Sequence, residues 1–338
     1  MYREILNLLS EWKETSKKPL LLMGEKGVGK SYALRDFGEG YFDSVIIMDF
    51  KTQQNYRYLL DKNLNISDIE RLLEISNGGE YERINTLLIF ENIDFLKDGN
   101  SAVRFLIDNI SDYRMAFTIS TDEENYVDKE IIHELEVITL YPMSFNEFLI
   151  ANKESKLADK IEKEDKEALS DEDVELIEKY LQIYVFVGGM PEIADIYVRT
   201  NDMNIVYKQK KNLLNSILEE FENIEDILLK ENVIELWERI SMQNEKVEYS
   251  LTDNKRYSEA VEWLLYNKYI AIEHMKNGHR KLFYNDIGIL TGMLDLTYED
   301  IDLEKLFTSD SNIIIKQLIF EELRRNSNIN ETFLKVTI

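Results

Sequence analysis

Residues 24 to 31 read GEKGVGKS, preceded by the apolar run Pro19 to Met23 and followed by SYALRDF, which has helical spacing. The eight residues fit G-x-x-x-x-G-K-[ST] at every position. A strand, a glycine loop and a helix in that order restrict the fold, because backbone N–H groups must converge at a helix N-terminus. Unpaired donors and the helix dipole hold an anion there. Gly27 and Gly29 let the backbone curl close to a phosphate, while Gly24, Glu25, Lys26 and Val28 complete the loop and Tyr32 enters the helix. Lys30 would reach the β and γ phosphates, and the Ser31 hydroxyl would ligate magnesium. A glycine turn that binds nothing is the alternative. With strand, loop, lysine, hydroxyl and helix all in order, the expectation is a site for ATP or ADP with Mg2+.

Up to about residue 150, short apolar runs (PLLLM, SVIIMDF, TLLIF, RMAFTIS, LEVITL) alternate with helical segments. That alternation predicts an α/β fold with a parallel sheet covered by helices. From Asn152 to Glu178 the chain becomes a dense mixture of Lys, Glu and Asp, which places a domain boundary near the start of that stretch. Helical segments follow to about residue 240. A helix and two β-rich runs flanking Asn277-Gly278 then suggest a small winged-helix module. The expected organisation is 1–150 nucleotide-binding domain, 151–230 helical lid or linker, 231–295 winged helix and 296–338 a further C-terminal element.

The run TLLIFENID ends in Glu91, Asn92 and Asp94. In phosphate-loop enzymes a second strand ends in Asp, which holds the magnesium shell, often followed by Glu, which orients the attacking water. Glu91 is one methylene longer than Asp and can still reach a magnesium-bound water. Asn92 can hold a water but cannot take its proton. Asp94 is the nearby substitute, or else a helix-starting charge stabilised by the dipole. RMAFTIS ends at Ser120 and Thr121, where a polar side chain either senses the γ phosphate or caps the next helix. Between Thr121 and Leu140 the only basic side chain is Lys129, so an arginine for the transition state is missing.

Composition closes several other routes. There is no cysteine, which rules out disulfides, thiolate metal sites and cysteine nucleophiles and predicts a reducing cytoplasmic setting. His133, His274 and His279 are scattered and offer no metal cluster. No apolar run approaches the roughly 18 residues that a membrane span requires, and MYREILNLLSEWKETSKK lacks the order of an export signal. A formal charge of −25 repels phosphate backbones, so nucleic-acid binding through bulk charge is not expected. The short run Lys208, Lys210, Lys211 reads as a solvated helix face.

With these residues in place, the chain resembles a family of prokaryotic predicted AAA-type ATPases. The resemblance rests on KPLLLMGEKGVGKS, TLLIFENID, LYPMSFNEFL and YVFVGGMPEIAD, which hold all three prolines, Pro19, Pro142 and Pro191. It implies a phosphate-loop domain, a helical and winged-helix middle and a restriction-endonuclease-like C-terminal domain. It also implies that Gly189 and Pro191 lie near the adenine base; on the residues alone they read as a helix break. Ser144 reads as a helix cap with Glu147 at the capping-box position, and Phe145 and Phe148 as core.

Three positions depart from the family's pattern. Glu91-Asn92 stands where members carry Asp-Glu. HELEVIT lacks the Arg or Lys expected before YPMSF. Lys316 stands where members carry Glu, and the metal-binding carboxylate strands of a nuclease would lie beyond Ile338, so nuclease chemistry is not expected. The leading functional expectation is a nucleotide-dependent switch with weak or absent hydrolysis and a protein partner. An active ATPase, or a winged-helix DNA-binding regulator with a vestigial ATP site using Lys255, Arg256, Lys276, Arg280 and Lys281, are the alternatives.

Overall fold

The computed structural model describes residues 2–62, 65–77, 85–120, 127–162, 169–242, 255–274, 280–308 and 312–326. They form two compact units, Arg3–Leu140 and Tyr141–Ile338 with Met1–Tyr2. In the first unit α1 (Ile5–Thr15) leads into β1 (Leu20–Met23), α2 (Lys30–Tyr41), β2 (Ser44–Asp49), α3 (Gln54–Lys62) and α4 (Ile66–Asn77). Then come β3 (Thr86–Glu91), α5 (Gly99–Asn109), β4 (Arg114–Thr118), a short helix Lys129–Ile132 and β5 (Glu136–Thr139).

All four ladders are parallel, in the order β2-β3-β4-β1-β5. Parallel neighbours need crossovers, which the intervening helices supply, and helices on both faces bury the strands. Every residue of β1 and β3 is accordingly buried. On one face Phe90 stacks on Phe117 at 5.3 Å and lies parallel to Phe50 at 6.4 Å. This is the α/β class that the alternating runs predict. Because all strands run one way, the loop after β1, Glu91 and the end of β4 share one edge of the sheet, where open α/β sheets bind ligands.

In the second unit Ser144 accepts from the backbone N–H of Glu147 at 3.0 Å while the Glu147 carboxylate accepts from the Ser144 N–H at 2.9 Å, the expected capping box. Phe148 is fully buried against Tyr184 and Tyr197. Helix Asp171–Val187 breaks at Gly188, whose φ of 83° suits glycine, and restarts with Pro191 as the first residue of Pro191–Thr200. Met143 N–H donates to the Gly189 carbonyl at 2.6 Å, Gly189 N–H donates to Asp286 Oδ2 at 2.5 Å, and Tyr184 donates to the Met143 carbonyl at 2.8 Å. Arg325 adds a donor to the Met143 carbonyl at 3.2 Å. The YPMSF and GGMPE segments thus meet at one buried polar junction.

Farther along, Phe221 is enclosed edge-on by Trp237, Trp263 and Tyr269 at 5.4, 5.6 and 4.9 Å. Such ring pairs add about 1 kcal/mol each beyond burial. Helices Ile227–Ile240 and Ser258–Tyr266 precede an antiparallel pair, β6 (Ile270–His274) and β7 (Arg280–Tyr284), in the helix-then-hairpin order expected. Asn277-Gly278, Lys276 and His279 lie outside the described residues. The apolar residues after β7 form a helix, Ile287–Met293, rather than extending the strand, because Asp286 caps it through the Ile289 N–H. Helix Ile313–Asn326 lays Phe320 on Phe283 at 4.2 Å.

The lysine run is not a solvated face throughout. Lys210 is 3% exposed, on the buried stripe with Val206, Leu214 and Ile217, and donates to the Phe186 carbonyl at 2.5 Å and Thr291 Oγ1 at 2.9 Å. Two donors are what a neutral amine has. Burial pushes Lys210 from its ordinary 10.5 down to about 7, against the raising effect of Asp286. Between those two values the folded state binds fewer protons than the unfolded chain, so stability from this group rises with pH by at most about 1.4 kcal/mol per unit. In urea melts at several pH values, wild type should gain stability relative to Lys210→Met from pH about 7 to about 9. A flat difference would mean that the folded chain keeps the lysine charged.

Candidate functional site

The loop between β1 and α2 takes three positive backbone angles: φ is 143° at Gly24, 85° at Gly27 and 91° at Gly29. These turns bring the first N–H groups of α2 to face the loop. The helix starts at Lys30 with neither a side-chain cap nor an acidic residue in its first turn, leaving its N-terminal donors and dipole for an anion. Arg3 clamps the back of the loop, donating to the Val28 carbonyl at 2.9 Å. Val28 is buried, whereas Lys26, Gly27 and Tyr32 are exposed. Lys30 is 7% exposed and donates to the Gly24 and Glu25 carbonyls at 2.7 and 2.9 Å.

Glu91, at the end of β3, has the Ser31 hydroxyl close enough to favour its charged form. Its Oε1 is buried and has no protein partner. Burial pushes the Glu91 carboxyl up, as does Asp49, while Ser31, Arg35 and Lys30 act against the rise. A hydroxyl and a carboxylate with an open oxygen are hard donors suited to Mg2+, which keeps several of its ligands as water and phosphate oxygen. No group of three or more His, Asp or Glu among the described residues forms a metal cage.

Asn92 follows in the left-handed region, at φ 58° and ψ 51°. Its backbone N–H donates to Thr118 Oγ1 at 2.9 Å on β4, and its Nδ2 donates to Asp49 Oδ1 at 2.7 Å on β2. Asp94 Oδ2 accepts from the Ser120 N–H at 3.2 Å, while Oδ1 is buried with no partner. Burial pushes Asp94 up, against the Ser120 N–H, Lys30 and Lys51. Asp94 sits in the first turn of a 3-10 helix, Ile93–Phe95, the helix-starting charge expected after the strand, and it also ties that turn to Ser120 beyond β4. Thr121 lies outside the described residues, and Lys129 is exposed.

The fold thus brings Gly24 to Ser31, Glu91, Asn92, Asp94 and Ser120 to one sheet edge. Pro191 belongs to the other unit. Asp49 and Thr118 join the group and were not singled out from the sequence. The signal for Asp49 is an acidic residue closing the apolar run SVIIMD. Of the basic residues suggested for a winged-helix DNA contact, Arg256 is bonded to Asn232 and Glu235, and Lys281 is 3% exposed.

Residues 16–149 match the AAA domain family. This part of the chain is an AAA-type P-loop NTPase domain, which implies nucleotide binding. No curated protein matches the chain. Among solved structures, a Thermotoga maritima RuvB variant is 18% identical over 83% of this chain and 92% of its own, with a TM-score of 0.40. AMPPCP-bound DnaA from Aquifex aeolicus is 17% identical over 75% and 74%, at 0.36. PCH-2 from C. elegans is 15% identical over 45% of this chain and 44% of its own, at 0.29, so the matched part spans less than half of that protein. No helix among the described residues is long and apolar enough to cross a membrane.

A Cβ added at Gly24 would lie 2.1 Å from the Leu140 carbonyl oxygen, at a φ that side chains rarely adopt. Gly24→Ala should weaken binding of a fluorescent ADP analogue by about ten- to a hundredfold, from about 1–3 kcal/mol of backbone strain. Gly40→Ala, with nothing within 4 Å, is the control and should leave affinity unchanged.

Proposed function

We propose that the chain binds Mg-ATP or Mg-ADP through residues 24–31 and acts as a nucleotide-dependent switch that hydrolyses slowly. One observation carries the reading: the residue after Glu91 is an amide, and its side chain is bonded to Asp49. The loop amides and Lys30 supply phosphate binding, and binding does not require a base. Turnover requires a group that polarises water, and Asn92 cannot accept a proton. Losing such a group costs roughly two to four powers of ten in rate.

In this reading Ser31 and Glu91 hold Mg2+, which when bound offsets the negative charge of the phosphate oxygens. Ser120 is the candidate sensor of the γ phosphate, and the family resemblance assigns Gly189 and Pro191 to the adenine base. The second unit then reads the bound nucleotide, as a lid at 151–230, a winged helix at 231–295 and a C-terminal element at 296–338, and passes the state to a protein partner in the cytoplasm. The pairing of Arg256 and the burial of Lys281 favour that over a DNA-binding role.

The test is to load purified protein with excess Mg-ATP, remove free nucleotide, denature, and identify what stayed bound by chromatography. Intact ATP in near one-to-one ratio after an hour, absent from Lys30→Ala, is the expected result. Rapid and complete conversion to ADP would exclude a slow switch, and no retained nucleotide would exclude the site.

A further inference from the structure

We propose that Asp49 is the carboxylate through which this site hydrolyses ATP, and that Asn92 is its positioning residue. The inference rests on the nucleotide-site reading above and names the group that does its slow chemistry.

Asp49 and Glu91 are register partners on adjacent strands, so Asp49 stands at the same sheet edge as the loop and Glu91. Its carboxylate is oriented from both sides. Oδ1 accepts from Asn92 Nδ2 at 2.7 Å and from the Lys51 N–H at 2.9 Å, and Oδ2 accepts from Thr52 Oγ1 at 2.6 Å. Each carboxylate oxygen has two lone-pair sites. Oδ1 takes two of these bonds and Oδ2 one, with the Thr52 N–H also directed at the carboxylate, so Oδ2 is the oxygen more open to a water. Gln53 secures the turn from below, its Oε1 accepting from the Asp49 N–H at 2.9 Å.

Acid and amide thus face each other across β2 and β3, with the proton acceptor on β2. Asn92 can orient it and cannot replace it. As the oxygen of a water bound at Oδ2 forms its bond to the γ phosphorus, the bond from that phosphorus to the bridging oxygen of the leaving ADP breaks. One water proton passes to Asp49 and from there to the released phosphate, giving ADP and inorganic phosphate. Three donors already engage the Asp49 carboxylate in this arrangement, and its own N–H is held by Gln53. Such a satisfied carboxylate is a weak acceptor, and slow turnover follows.

The experiment follows single-turnover hydrolysis of ATP labelled in its γ phosphate by the full chain with Mg2+, alongside equilibrium binding of the same nucleotide. Asp49→Asn, which keeps the shape, should bind ATP within about twofold of wild type and hydrolyse it roughly 100-fold more slowly or worse. Asn92→Ala should lower kcat with KM for ATP unchanged, a split that a merely structural loss would not produce. Retained ATP binding reports that each variant is folded at the site. Wild-type hydrolysis by Asp49→Asn, or ATP bound by wild type with no hydrolysis at all, overturns the assignment while leaving the nucleotide site standing. Absence of ATP binding by wild type overturns both.

Discussion

The candidate site is held together by the left-handed turn at Asn92. A residue at φ 58° ends β3 abruptly, and asparagine is among the few side chains that enter that region readily. Its N–H ties β3 to Thr118 on β4, and its amide ties β3 to Asp49 on β2. One residue therefore fixes the relative position of three strand ends. Glutamate there would bear a positive φ and set a second carboxylate against Asp49, with like charges in contact. The amide is thus a structural requirement of this arrangement as well as a limit on its chemistry.

The second unit has a comparable junction of different make-up. Met143, Gly189 and Asp286 come from three distant parts of the chain, and the backbone groups that meet there are satisfied by one another, by Tyr184 and by Arg325. A side chain at Gly188 would lie 2.4 Å from Asp286 Oδ1. Close backbone approach explains why these segments carry glycines and why they stand out in the sequence. Buried polar groups left unpaired here would each cost about 1–3 kcal/mol, so the junction forms whole or not at all.

What could be read from the chain was local. The loop and its flanking strand and helix, the Ser144–Glu147 cap and the break at Gly188 each need only a few neighbouring residues. Asp49 was missed because its importance comes from strand order: a carboxylate closing an apolar run is ordinary until β2 is known to lie beside β3. Lys210 was misread by charge although its spacing from Val206 and Leu214 puts it on the buried stripe. Periodicity outranks charge there because the side chain finds two acceptors inside the unit. Asp94 does start a short helix, Ile93–Phe95, but its second role, accepting from the Ser120 N–H just past β4, depends on strand order and is not legible locally.

Binding and turnover lie in physically separate parts of this edge. The anion-holding features are backbone donors of the loop and α2, set by three glycine angles and the Arg3 clamp on Val28. The proton-handling features are side chains of β2 and β3, and β4 stands between them and β1 in the sheet. Strands are spaced about 4.8 Å apart, so the two groups are linked by an extended ligand and by Lys30 and Ser31 of the helix, both of which favour the charged form of Glu91. Under the proposed assignment, a change at Asn92 or Asp49 alters the rate of hydrolysis and leaves the backbone donors of the phosphate loop in place. In the proposed switch, that separation would let an intact loop hold a nucleotide while turnover stays slow.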